Sequence, residues 1–139
     1  MSIKVLIVDD HEMVRDGLSV MMEREEDFTV VGEAQNGLEA VEKTKALNPD
    51  VVLMDLRMPG MGGMAATEAL RRSHVDVLII GLSTFAEDHM VASMIGSGAS
   101  AHLPKSVSFE QLTDAIRRVA AGETLTGSTG SAAAAPASN

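Results

Sequence analysis

The amino-acid sequence predicts an α/β protein in which five strand–helix units build one parallel sheet. Three observations carry that expectation. Short apolar, β-branched runs alternate with helical patterns from residue 3 to about residue 122, the order that produces a parallel sheet with right-handed crossovers. Most of the runs are continuously apolar rather than alternating, as strands covered on both faces require. The segments between them repeat apolar residues at helical spacing, and three of them stop at Gly or at Asn-Pro.

The predicted strands are IKVLIV (3–8), FTVVGEA (28–34), DVVLM (50–54), VLIIGL (77–82) and a weaker SAHLP (100–104). The first predicted helix, 12–25, sets Val14, Leu18, Met21 and Met22 on one face. The second, 37–47, turns Leu38, Val41 and Leu47 inward and stops at Asn48-Pro49. The third, 64–72, carries Ala66, Ala69 and Leu70 and ends in Arg71-Arg72, where cations suit the helix dipole. The fourth, 87–96, carries Val91, Met94 and Ile95, with a capping box at Thr84-x-x-Glu87. The fifth, 108–121, has the cleanest period, with Phe109, Leu112, Ile116, Val119 and Ala120 inward behind a Ser108-x-x-Gln111 box. Residues 1–122 form the folded domain. Residues 123–139 are small and polar and read as a flexible tail or the start of a linker.

Composition narrows the function. Aromatic residues make up 2% of the chain, so the core must be built from aliphatic residues and the ten Met. The net charge of −9 argues against direct binding of nucleic acid or of an anionic membrane surface, and it suits a cationic ligand. The absence of Cys excludes disulfides and thiolate chemistry. The apolar run Val5 to Val8 is too short for a signal peptide or a membrane span. A soluble, cytoplasmic protein is expected.

In an open α/β sheet, ligands bind beyond the carboxyl ends of the strands, near the point where strand order reverses. Strand 1 ends in Asp9-Asp10, strand 3 in Asp55, strand 4 in Ser83-Thr84 and strand 5 at Lys105. Taken singly, each aspartate reads as a helix cap or turn residue, and Lys105 as a solvated lysine. Taken together, they fall on four strand ends. With strands 1 and 3 as neighbours, Asp9, Asp10 and Asp55 converge. Two carboxylates at ~4 Å repel by roughly 4 kcal/mol at an effective dielectric near 20. A hard divalent cation offsets that repulsion, and Mg²⁺ binds through one or two carboxylates together with waters and phosphate oxygens. Lys105 and Ser83 add a fixed positive charge and a hydroxyl donor for phosphate oxygens. The set therefore reads as a phosphoryl site with an aspartate nucleophile.

Asp9-Asp10, Asp55 followed by Met58-Pro59-Gly60, Ser83 and Lys105 resemble the receiver domain of bacterial two-component response regulators, over residues 3–122. VDDHEMVRDGL and AIRRVAAGETL resemble the subfamily with a C-terminal helix-turn-helix output domain, which does not lie within this chain. The resemblance implies a flavodoxin-like (βα)5 fold with strand order 2-1-3-4-5. It implies phosphorylation of Asp55 by a sensor histidine kinase or a small phosphodonor. The implied Mg²⁺ (or Mn²⁺) ligands are Asp10, Asp55 and the main-chain carbonyl of Arg57, with Asp9 acting through water. Lys105 and Ser83 would contact the phosphoryl group. Ser83, Thr84 and the residue at position 102 would switch the surface formed by 87–96, 100–104 and 108–121, relaying the signal to an output, transcriptional by resemblance. Homodimerisation on phosphorylation is a further implication. Such a domain is a phosphoacceptor rather than an enzyme acting on other molecules, apart from Mg²⁺-dependent self-phosphorylation and self-dephosphorylation.

Several residues depart from the family pattern. His102 stands where Tyr or Phe is usual, Ser106 where Pro is common and Gly62 where an acidic residue is frequent. Pro104 precedes Lys105, and Thr84 is bulkier than the usual Ala or Gly. With Ser at 106, a cis peptide there would cost about 3 kcal/mol and is not expected. These departures keep open the alternative of a receiver-fold interaction module with atypical or phosphorylation-independent switching. An aspartyl phosphohydrolase would show Asp-x-Asp after strand 1, where this chain has Asp9-Asp10-His11-Glu12. A dinucleotide site would need Gly-x-Gly-x-x-Gly there. Met58, Met61 and Met64 beside the site loop are either core filler or a partner surface.

Overall fold

A computed structural model describes residues 2–58, 60–83 and 93–123. Five parallel strands, β1 (Ile3–Val8), β2 (Phe28–Ala34), β3 (Val51–Asp55), β4 (Leu78–Ser83) and β5 (Ala101–Pro104), form one sheet in the order β2-β1-β3-β4-β5. Helices α1 (Glu12–Glu23), α2 (Gly37–Leu47) and α3 (Gly63–Arg72) follow the first three strands, and a C-terminal helix spans Phe109–Ala120. Of the predicted fourth helix, residues 93–96 are described and are helical. Its expected Thr84–Glu87 capping box and Val91 lie outside the described residues, as does the tail from 124 onwards.

The continuous apolar runs have the meaning expected of them. In β1, Val5 and Ile7 enter one core layer with Met22 of α1 and Leu112, Ala115, Ile116 and Val119 of the C-terminal helix. Leu6 and Val8 enter the other, with Ala40 of α2, Ala66 and Leu70 of α3, and Met94. Alternate side chains thus feed opposite layers, and both layers are apolar. β1 pairs with β2 on one side and β3 on the other, with Val8 opposite Met54. One step further, Asp9 and Asp55 leave the sheet side by side at the point where strand order reverses.

Some helix faces differ from the reading of the sequence. In α1 only Met22 is fully buried, while Val14 and Met21, expected inward, are exposed. They line a groove of about 270 Å³ between α1 and the C-terminal helix. In α2, Leu38 and Leu47 are exposed, and Gly37, Ala40 and Thr44 face inward. At Gly37 the cause is close approach: its amide donates to the Met61 carbonyl at 2.9 Å, and an added Cβ would lie 2.4 Å from that oxygen. In the C-terminal helix Ala115 and Thr113 are buried and Ala120 is exposed. The Ser108–Gln111 capping box is present. Met58 is buried, and Met61 and Met64 are partly buried against the same core layer, so core filling accounts for Met58 and for part of the other two.

β5 is an edge strand, which explains Pro104. The Lys105 amide donates to the Ser83 carbonyl at 2.7 Å, and the two-residue alternation of the ladder then aims position 104 away from β4. Proline there gives up no sheet hydrogen bond. No peptide bond among the described residues is cis, in keeping with Ser at 106.

Candidate functional site

Asp9 follows β1 directly, and Asp55 is the last residue of β3 rather than the first of the loop. Both are 2% exposed. Asp10 is half-buried and Lys105, one residue past β5, lies between the two buried carboxylates. Its Nζ is 2.9 Å from Asp9 Oδ2 and 3.1 Å from Asp55 Oδ2. The four residues come from three strand ends, brought together by register rather than by sequence proximity.

The two buried carboxylates are not equivalent. Burial alone would raise the Asp9 carboxyl, but Lys105 and His11 outweigh it and hold Asp9 below the usual carboxylate range. His11 contributes its amide and its ring Nδ1, each 2.9 Å from Asp9 Oδ1. Asp55 is shifted upward, first by burial and then by the charge of Asp9, against the pull of Lys105. Its Oδ1 accepts one long bond, 3.3 Å, from the Arg57 amide. Lys105 is held above the usual lysine range by Asp9 and Asp55 despite its burial.

Two buried oxygens, Asp10 Oδ1 and Asp55 Oδ2, have no hydrogen-bond partner among the described residues. His11 Nδ1 and Lys105 Nζ lie 3.1 Å from them without hydrogen-bond geometry, and of the two the lysine ammonium supplies charge attraction. A buried oxygen left in that state is costly. Ligand atoms of Asp9, Asp10, His11 and Asp55 all lie within 4.8 Å of one another. Since His11 Nδ1 already serves Asp9, the set presents carboxylate oxygens, the donors a hard divalent cation takes. The acidic cluster therefore fits a metal.

Ser83 is placed differently. Asp55 pairs with Leu82, and side chains alternate, so Ser83 points to the opposite face of the sheet from Asp55. There its Oγ lies 3.0 Å from Nε2 of His102, which is fully buried. The structure brings Asp9, Asp10, Asp55 and Lys105 together and leaves Ser83 with His102. Thr84 lies outside the described residues. Glu33, near the end of β2, meets Arg15 Nε at 3.1 Å and Ser19 Oγ at 3.2 Å.

Three supporting residues went unread in the sequence. Arg15 donates to the Asp9 carbonyl at 2.7 Å, and His11 holds the Asp9 side chain. Gly63 lies so close to β3 that a Cβ would sit 2.2 Å from the Asp55 carbonyl oxygen. Its amide donates to Leu56 at 3.1 Å and closes the loop that follows Asp55. The Gly62-Gly63 doublet was the available signal, since paired glycines after a functional residue often mark close backbone approach.

Comparison with known proteins agrees with this geometry. A family model described as the response regulator receiver domain matches residues 5–117. The transcriptional regulatory protein LiaR of Bacillus subtilis is 45% identical over 87% of this chain and 57% of its own length. The response regulator GacA of Pseudomonas syringae is 40% identical over 87% of this chain and 56% of its own length. The chain thus spans little more than half the length of these curated relatives. A LuxR-family two-component response regulator from Aurantimonas superposes with a TM-score of 0.86 at 31% identity, covering 92% of this chain and 91% of that one. The receiver domain of a NarL-type regulator from Mycobacterium tuberculosis gives 0.84 at 32% identity, over 88% and 98%. Apolar runs ending in carboxylates, a 2-1-3-4-5 sheet that makes those ends meet, and these matches lead to one conclusion: the chain belongs to the response regulator receiver domain family, the phosphorylation-dependent switches of two-component signalling.

Proposed function

We propose that Asp55 is the phosphoacceptor of this domain. The observation that supports it most is the state of its Oδ2: buried, lacking a hydrogen bond, and 3.1 Å from the lysine shared with Asp9. An Asp55 oxygen attacks phosphorus, an O–P bond forms, and the donor's bond to phosphorus breaks with the electron pair leaving on the donor. Lys105 stays charged throughout, neutralising part of the new phosphate. Asp10, Asp55 and the Arg57 carbonyl would hold Mg²⁺ or Mn²⁺, with Asp9 acting through water; when bound, the ion screens the repulsion between carboxylate and phosphate. Asp9, fixed by Arg15 and His11, keeps the Lys105 ammonium aimed into the pocket.

The donor would be a sensor histidine kinase or a small phosphodonor. Ser83 would move to a phosphoryl oxygen, and residues 93–109 would reshape with it, promoting homodimerisation or release of an effector domain outside this chain. Kinship with transcriptional regulators supports a helix-turn-helix output and a cytoplasmic setting. The domain acts as an acceptor whose only chemistry is its own phosphorylation and dephosphorylation. No helix among the described residues is long and apolar enough to cross a membrane. The test is hydrogen exchange across residues 93–109 together with sizing, before and after treatment with phosphoramidate in Mg²⁺. Slowed or accelerated exchange there is expected, and an unaltered profile at full phosphorylation would refute the switch.

A further inference from the structure

His102 belongs to β5 and pairs with Gly81 of β4, so both residues present the same face of the sheet, and Ser83 presents it too, two residues further on. The ring is fully buried. Space for it comes from Gly81, where a Cβ would meet Met94 Cε at 2.7 Å and His102 Cδ2 at 3.3 Å. The ring makes one polar contact among the described residues, Nε2 to Ser83 Oγ at 3.0 Å, and Nδ1 has none. Burial also disfavours the imidazolium, which favours a bond to Ser83 from the neutral ring.

This arrangement has a direction. Asp55 projects to the other face, with Leu82. A Ser83 hydroxyl that reaches a phosphoryl group on Asp55 must leave His102. The ring would then hold two buried nitrogens without partners, a state that opposes the movement.

The geometry points to His102 as a positioning residue that parks the Ser83 hydroxyl on the face of the sheet away from Asp55 and so restrains phosphorylation of Asp55. This rests on the reading of Asp55 as acceptor and Ser83 as a phosphoryl contact. An aromatic hydrocarbon at position 102 would fill the site without holding the hydroxyl. A glutamine would place an amide nitrogen near the position of Nε2 and keep the bond.

The experiment follows phosphorylation by intact mass, using phosphoramidate and Mg²⁺. His102→Phe is expected to react about fivefold faster than wild type, the factor equivalent to one ordinary hydrogen bond. His102→Gln should stay near wild type. In a Ser83→Ala background the Phe substitution should change nothing. A His102→Phe rate equal to or below wild type, or an acceleration that persists without Ser83, would overturn the proposal. A merely structural role for the ring predicts loss of folding in both variants and no rescue by Gln. If His102→Phe does not fold, ¹⁵N chemical shifts of the His102 ring in wild type decide: they should move on adding beryllofluoride with Mg²⁺, and unmoved shifts would overturn the proposal. A wild type that gains no phosphoryl group refutes the reading of Asp55 as well, whereas normal phosphorylation with an inert His102 refutes only this inference.

Discussion

Replacing Gly63 by alanine adds one methyl group at the most crowded point behind the site. Its Cβ would lie 2.2 Å from the Asp55 carbonyl oxygen, 3.0 Å from the carbonyl carbon and 2.9 Å from Met54 Cγ. The Met54 side chain can yield; the Asp55 backbone cannot without shifting β3 or the start of α3. Overpacking costs typically 1–3 kcal/mol, and a backbone clash belongs at the upper end, about 3 kcal/mol. For a domain of this size that is a fall in Tm of about 10 °C. Gly17→Ala supplies the contrast. Gly17 is exposed within α1 and has nothing within 4 Å of a built Cβ, so alanine should stabilise by about 1 kcal/mol through helix propensity. Thermal unfolding followed by circular dichroism compares the two. A Gly63→Ala Tm within about 2 °C of wild type, far short of the fall of about 10 °C expected, would refute the claim that α3 is docked against the Asp55 backbone.

Other outcomes follow from the electrostatics and the caps. The Asp55 carboxyl is raised in the fold, so its ionisation costs stability as pH rises from 3.8 through its folded value; Asp55→Asn should melt above wild type at pH 7, with the difference closing below pH 3.8 in a pH series of melts. Lys105→Met leaves Asp9 and Asp55 facing each other. Breaking a fully buried pair costs 3–5 kcal/mol, and Lys105 is 25% exposed, so about 2 kcal/mol is expected in urea unfolding, with Mg²⁺ restoring more stability to the variant than it adds to wild type. Ser108→Ala removes half of the capping box on the C-terminal helix and should lower stability by about 1 kcal/mol, read as a shift in urea midpoint at unchanged slope.

Much of the site was legible because strand ends are legible. An apolar run that stops at a carboxylate marks both the strand and its functional end, so Asp9, Asp10, Asp55 and Lys105 could be read from one chain. Their convergence depends on strand order, which local pattern does not contain and the family resemblance supplied. Helix faces were less legible where apolar residues exceed what the sheet can cover: Met21 and Met22 are chemically alike, and only the packing of α1 on the sheet decides that Met22 is buried. In α2 the small residues Gly37, Ala40 and Thr44 face inward, so Leu38 and Leu47 were the wrong guide. Gly63 acts through a contact eight positions back, and the direction of His102 depends on Gly81 and Met94 in neighbouring elements. Such features arise from packing, and a linear pattern carries them only as an unexplained glycine or histidine.

The central claim, that Asp55 accepts a phosphoryl group, is tested most directly by intact mass after phosphoramidate treatment with Mg²⁺, wild type beside Asp55→Asn. Wild type should gain a single phosphoryl group, lose it slowly on standing and gain none when EDTA is present, and the Asn variant should gain none. No gain in wild type, or an equal gain in Asp55→Asn, would contradict the assignment.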